Sequence, residues 1–284
     1  MNELKKVFDN RKLAESTKNT YQLNYNKLVD ELEQPIIKSS PSEIKKAIDF
    51  MSENPNTRWS MYSVPILIYN SHNMNPDKLI NFREQLRKER KIKTAENLVY
   101  KFHHLPTMSH LKNKLNELFR EKEYRKYIIN FLLMSYGLRN KDLNLFITDD
   151  INKVDHKNNW IYVSEFLVEM YISDYKTSFK YGRKNISITS RKAKKALQSM
   201  TNQYLLTKQN GVRIHATSLN RFITKRTIDN LSESDIFKII ISTIRKRTNF
   251  RSLIKQFSEY RGTDVGTILQ YYLPSSGEKA FTEV

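Results

Sequence analysis

One stretch constrains this chain more than any other: Phe131-Leu-Leu-Met-Ser-Tyr-Gly-Leu-Arg-Asn-Lys-Asp-Leu-Asn-Leu-Phe146. Leu132, Leu133, Tyr136, Leu143, Leu145 and Phe146 suit core packing on helical faces. Gly137 between them is expected to end the first helix in a left-handed cap. Leu138-Arg139 then sets a guanidinium at the tip of a tight turn whose flanks are both anchored in the core. An arginine held there presents five donors in a fixed fork to something anionic. Asp142 follows one helical turn later and is placed to orient it. The plainer alternative is an arginine that only caps the preceding helix.

Composition narrows what the anion is. The chain has 284 residues, enough for two modest domains with cores of their own. It carries 49 Lys and Arg against 30 Asp and Glu, a formal charge of +19. The excess is spread along the whole chain and points to nucleic-acid phosphates. A Lys/Asn/Ile-rich composition drawn from an AT-rich genome explains many of the lysines but not the low acidic count. There is no Cys, which excludes disulfides and thiolate metal sites. The six His lack the spacing of a helical metal pair, so neither a metal nor any other cofactor is expected. No apolar run approaches the roughly 18 residues of a membrane span. Met1-Asn-Glu-Leu-Lys-Lys lacks the apolar core of a signal peptide. The expectation is an intracellular protein with access to DNA, not secreted, with no membrane contact and no small-molecule substrate.

Residues 1–100 read as a helical unit. Helices are predicted from about 10 to 32, from Ser42 beside Pro41 onward, from 57 to 70 with Pro65 inside, and from 78 to 90. The charged run from Lys88 to Thr94 reads as a linker. Residues 101–284 form the second domain, with helices over 107–119 and 123–136 leading into the Arg139 turn. Period-two segments follow at Trp160–Ser164, Val168–Ser173 and Asn185–Thr189, with Gly182 supporting a hairpin turn. Helices over 190–204, from 215 and over 232–247 complete the pattern. The fold class is therefore mainly α with a small three-stranded antiparallel sheet, in two domains.

The pattern apolar-apolar-x-x-Gly-Leu-Arg-x-x-Asp-Leu around Arg139 resembles the first arginine box of the tyrosine recombinase (phage-integrase) family. Lys176-Thr177, in the hairpin after Arg139, is similar to the family's Lys-Thr, and Lys180 is the second candidate. The helical residues 1–100 resemble the family's core-binding domain in outline only. The resemblance implies cleavage and rejoining of double-stranded DNA, as in site-specific recombination or integration, by a tetramer on two duplexes. It also suits a mobile element or a DNA virus.

The family's second box, His-x-x-Arg, allows two registers. In the first, Arg251 is the second arginine, Thr248 stands in the His place, and Gly262-Thr-Asp-Val follows at the expected eleven residues. Pro274 then takes the later His position, and the nucleophile position falls near 283, where there is no Tyr. In the second, Arg245 is the arginine, Ser242 takes the His place, and Tyr272 or Tyr271 is the nucleophile at a shortened spacing. Pattern favours the first. The implied catalytic set is Arg139, Lys176, Arg251 and Tyr272, with Arg245, Lys180 and Tyr271 as alternates. Two arginines would hold the non-bridging phosphate oxygens, a tyrosine would attack phosphorus, and a lysine would protonate the leaving 5′-oxygen. A catalytically degenerate DNA-binding protein on the same fold is the alternative.

Overall fold

The computed structural model describes residues 3–9, 11, 13–155, 157–200, 202–208, 212–214 and 218–273. The chain is mainly helical with a small mixed five-stranded sheet. It divides into two units, Met1–Asn97 and Leu98–Val284.

The first unit is built from α1 (Glu3–Asp9), α2 (Glu15–Leu32), α3 (Pro41–Met51), α4 (Pro55–Ser71) and the start of α5 (Asp77–His103). The N-cap of α3 is Ser40 rather than Ser42. The Glu43 N–H donates to its hydroxyl at 3.3 Å and the Ser40 N–H donates to the Glu43 carboxylate at 2.7 Å. That reciprocal box, with Pro41 in the first turn, fixes where the helix starts. Leu28, Ile44, Ile48, Tyr62, Ile68 and Leu79 form the core. The buried Glu3 carboxylate accepts the Ile36 and Ile37 N–H groups at 3.1 and 2.8 Å, which ties α1 to the 3₁₀ turn at Ile36–Lys38. The expected linker from Lys88 to Thr94 lies inside α5. Its Lys, Arg and Glu residues are unbranched at Cβ and favour helix, so charge alone does not open the chain there.

The second unit begins with α6 (Met108–Arg120) and α7 (Tyr124–Tyr136). The strands are β1 (Leu145–Thr148), β2 (Asn159–Val163), β3 (Val168–Ile172), β4 (Lys184–Ser187) and β5 (Gln203–Tyr204), in the order β4-β3-β2-β1-β5. The sheet is therefore five-stranded and mixed, not three-stranded and antiparallel. β1 runs parallel to β2 and antiparallel to the two-residue β5. β1 escaped the sequence reading because Leu143, Leu145 and Phe146 also fit helical spacing, and four residues are too few to establish period two. Instead, a 3₁₀ turn at Asn140–Leu143 absorbs the chain after Arg139, and a strand follows. The expected helix over 190–204 is only α9 (Arg191–Gln198), after which Gln203–Tyr204 closes the sheet.

The connection from β3 to β4 is not a tight hairpin either. It holds a single helical turn, α8 (Ser178–Tyr181), capped by Gly182 at φ 69°. α10 (Leu219–Thr224), α11 (Glu233–Arg245), α12 (Phe250–Arg261) and α13 (Val265–Tyr272) complete the unit. Its core gathers Ile128, Leu132, Ile161, Met170, Phe237 and Ile240 from both helices and sheet. Among the described residues no helix is long and apolar enough to cross a membrane.

Gly137 ends α7 as expected, at φ 60°, with its N–H donating to Leu133 O at 3.0 Å. A Cβ at this position would sit 2.6 Å from the Phe237 ring. Gly137→Ala is expected to destabilise the protein by about 1–2 kcal/mol through left-handed strain, with about 1–3 kcal/mol more from overpacking. Urea denaturation beside wild type measures the sum.

Candidate active site

Everything at this site is arranged around the turn at 137–142. Leu138 is buried, so the turn cannot lift away from the core without exposing it. The Arg139 N–H donates to Asp142 Oδ2 at 3.1 Å. Asp142 thus holds the backbone of the turn, where the sequence suggested that it orients the guanidinium.

The Arg139 guanidinium reaches the α12–α13 turn instead. Its Nη2 donates to the Thr263 hydroxyl, and its Nη1 is buried without a hydrogen-bond partner among the described residues. A buried, unpaired guanidinium nitrogen is costly, so it marks a place where an anionic group would be favoured.

Arg261, at the end of α12, packs behind the turn and is almost wholly buried. Its Nη1 donates to Gly137 O at 2.8 Å, and its Nη2 donates both to Glu233 Oε1 and to the Tyr272 hydroxyl, the latter at 3.1 Å. The guanidinium also lies over the Phe237 ring at 4.3 Å. Glu233, in the first turn of α11, uses its other oxygen to accept the Asn140 N–H. One ion pair therefore grips the Arg139 turn from both ends.

Lys184 opens β4 and points inward. Its Nζ donates to Tyr260 O at 2.8 Å and sits 3.6 Å from the centre of the Tyr175 ring. Between α12 and α13, Gly262 turns the chain at φ 59°. An added Cβ there would lie 2.7 Å from the Thr177 hydroxyl and 3.1 Å from Lys184 Nζ. The Thr177 hydroxyl donates to Gly262 O at 2.7 Å, which closes the β3–β4 connection onto this turn.

The electrostatics follow from burial. Desolvation, with Arg139 and Arg261 adding to it, pushes the Lys184 ammonium down to about 8, although Asp142 opposes the shift. Desolvation likewise raises the Asp142 carboxyl to about 6, against the Arg139 N–H and the nearby Lys184 and Arg139 charges. Burial and then Arg261 hold Arg139 below its usual range, while Asp142, Glu233 and Tyr272 support its charge. Near neutral pH the site holds cationic Lys184 and anionic Asp142 together. Such perturbed groups gathered in one place are characteristic of reaction sites.

The structure thus brings Arg139, Asp142 and Tyr272 to one place. It does not bring Arg251 or Arg245 there: Arg251 is exposed in the first turn of α12 and Arg245 is exposed at the end of α11. Thr248 is exposed in the turn between those helices. Lys176 and Lys180 are exposed on the β3–β4 connection, and Tyr271 faces solvent beside the half-buried Tyr272. Pro274 and position 283 lie outside the described residues. Arg261 and Lys184, which the sequence reading did not single out, are the other two cations beside the Arg139 turn.

Both had a sequence signal that the box pattern obscured. Arg261 continues the buried stripe Ile254, Phe257 at helical spacing, and Lys184 shares parity with the buried Ile186 and Ile188. A charge on an apolar face is the informative exception. Among the described residues, no group of three or more His, Asp or Glu could hold a metal ion.

No family model and no curated protein matches the chain. Among solved structures it aligns with the crystal structure of XerA recombinase. The identity is 14% over 96% of this chain and 94% of that one, with a TM-score of 0.39.

Two outcomes test this geometry. Arg261→Gln leaves the half-buried Glu233 without its partner and is expected to cost about 3 kcal/mol. Adding Glu233→Gln recovers part of that loss, as read by urea denaturation. Asp142 keeps its proton to higher pH in the fold than in the unfolded chain. Its contribution is therefore present below the ordinary carboxyl value of 3.8 and is lost as pH rises through about 6. Stability measured across that window should fall in wild type and flatten in Asp142→Asn.

Proposed function

We propose that this protein breaks and rejoins double-stranded DNA through a covalent phosphotyrosine, with Tyr272 as nucleophile, in the manner of tyrosine recombinases. The observation that carries the reading is the Tyr272 hydroxyl, 3.1 Å from Arg261 Nη2 and near Arg139. Its phenol would release its proton to solvent, and the oxygen would form the new bond to phosphorus as the bond to the 5′-oxygen breaks. Arg139 Nη1 donates to a non-bridging oxygen, where charge builds up in the transition state. Lys184, lowered to about 8, is protonated at neutral pH yet acidic enough to give its proton to the departing 5′-oxygen. The phosphotyrosine keeps the energy of the broken bond, so rejoining needs no nucleotide. The formal charge of +19 and the Gly137-Leu138-Arg139 box support DNA as the substrate.

A second reading has its own support. Arg261 is engaged with Gly137, Glu233 and Tyr272 and spares little for a phosphate. The exposed Arg245 and Arg251 do not replace it. On that reading the chain binds DNA on the same fold without cutting it.

The test is a nicked, AT-rich duplex incubated with the full chain and resolved on a denaturing gel. A covalent adduct is expected for wild type and Tyr271→Phe and is expected to be lost in Tyr272→Phe. Arg139→Ala should slow adduct formation by about 10²–10³-fold. The wild-type rate should fall as pH rises through about 8, where Lys184 loses its proton. Loss of the adduct in Tyr271→Phe alone sinks the assignment. Salt-dependent binding with no adduct in any variant selects the second reading.

A further inference from the structure

We propose that the β3–β4 connection is a wedge for double-stranded DNA, with Phe179 entering between stacked bases while the exposed Lys176 and Lys180 meet the flanking phosphates. The proposal rests on the DNA reading above and adds what the protein does to the duplex it holds. Phe179 is 89% exposed on the single helical turn α8. A lone exposed apolar side chain needs no explanation. Here, however, one short segment carries Lys176, Phe179, Lys180, Tyr181 and Arg183. Aromatic rings interleaved with cations suit a polyanion whose interior is made of stacked rings.

The mounting is firm, which a wedge requires. At its root, Asn159 Oδ1 accepts the Ser173 and Asp174 N–H groups at 2.9 and 2.8 Å. The Tyr175 hydroxyl donates to Gly182 O at 2.7 Å and closes the base of the loop. The Thr177 bond to Gly262 ties the same loop to the turn that contacts Arg139 through Thr263. Force on the ring is therefore borne by the sheet and the active-site turn.

A second phenylalanine supplies the contrast. Phe166 is 90% exposed in the turn between β2 and β3, at the opposite end of β3. Its neighbours in sequence include Glu165 and Glu169, which repel phosphates, and no cation lies within the turn. Equal exposure with opposite charge surroundings separates a DNA-facing ring from one that is merely exposed.

The experiment uses the full chain and duplexes carrying 2-aminopurine at successive positions, with TA steps included because they unstack most readily. Binding of wild type should raise the probe's fluorescence at one step. Phe179→Ala should abolish that rise and weaken duplex affinity roughly five- to hundredfold. It should leave the slope of log affinity against log salt unchanged, since no cation is removed. Phe166→Ala should match wild type in all three, and Phe179→Trp should keep the fluorescence rise. The ring is solvent-exposed, so an unaltered melting curve for Phe179→Ala shows that the fold is intact. Wild-type fluorescence and affinity in Phe179→Ala overturn the wedge. So does loss of self-association in that variant with DNA binding untouched, which would assign the ring to a second copy of the chain. Either result leaves the Tyr272 adduct to stand or fall on its own gel, whereas absence of any salt-dependent duplex binding overturns wedge and DNA reading together.

Discussion

The buried guanidinium of Arg261 is the joint on which the second unit's functional end depends. It ties the carboxyl end of α7, through Gly137 O, to Glu233 of α11 and to Tyr272 of α13. Three helices converge on one cation. Taking that charge out of water is expensive, and a single carboxylate rarely offsets the cost. Here the carbonyl, the phenol and the faces of Phe237 and Tyr272 add to the carboxylate, so both terminal nitrogens are hydrogen-bonded and the charge is surrounded. Breaking any one spoke leaves the others strained or unpaired. The position of the Arg139 turn and the position of Tyr272 are thus consequences of one interaction rather than two.

Arg139 has the opposite character. It borrows its backbone geometry from Asp142, spends one nitrogen on Thr263 and leaves the other unsatisfied. A partner for that nitrogen would add stability. Lys184 is also perturbed, since burial among like charges weakens its hold on a proton. Glu233 offsets part of this positive charge from behind the turn, through its ion pair with Arg261. Neighbouring charges are therefore held differently: Arg261 and Glu233 are paired with each other, while Arg139 keeps one nitrogen unpaired among the described residues and Lys184 is held by a carbonyl and a ring face.

The sequence made part of this legible. The helices α2, α3, α4, α6, α7 and α11, the strands β2, β3 and β4 and the left-handed cap at Gly137 follow from apolar spacing and turn chemistry. Arg139 stood out because core residues flank it on both sides. β1 did not stand out because Leu143, Leu145 and Phe146 also fit helical spacing, and β5 because two residues carry no alternation; both take their shape from the neighbours they pair with. Arg251, Arg245 and Lys176 lie on exposed faces, whereas Arg261 is buried and Lys184 half-buried, and neither of the latter two was singled out in the sequence. Burial of a charge is a tertiary event, and the local pattern records it only as an exception within an apolar stripe.

β1 has a further consequence, one of timing. Its inner edge pairs with β2 soon after synthesis, but its outer edge waits for Gln203 and Tyr204. At ordinary translation speeds that interval is roughly 3–12 s. Throughout it, the emerging chain presents Leu145–Thr148 as an open, apolar strand edge, a template on which a neighbouring nascent chain can pair. Slow delivery of Gln203 and Tyr204 is expected to prolong exposure of this edge and so to favour aggregation of the nascent chain.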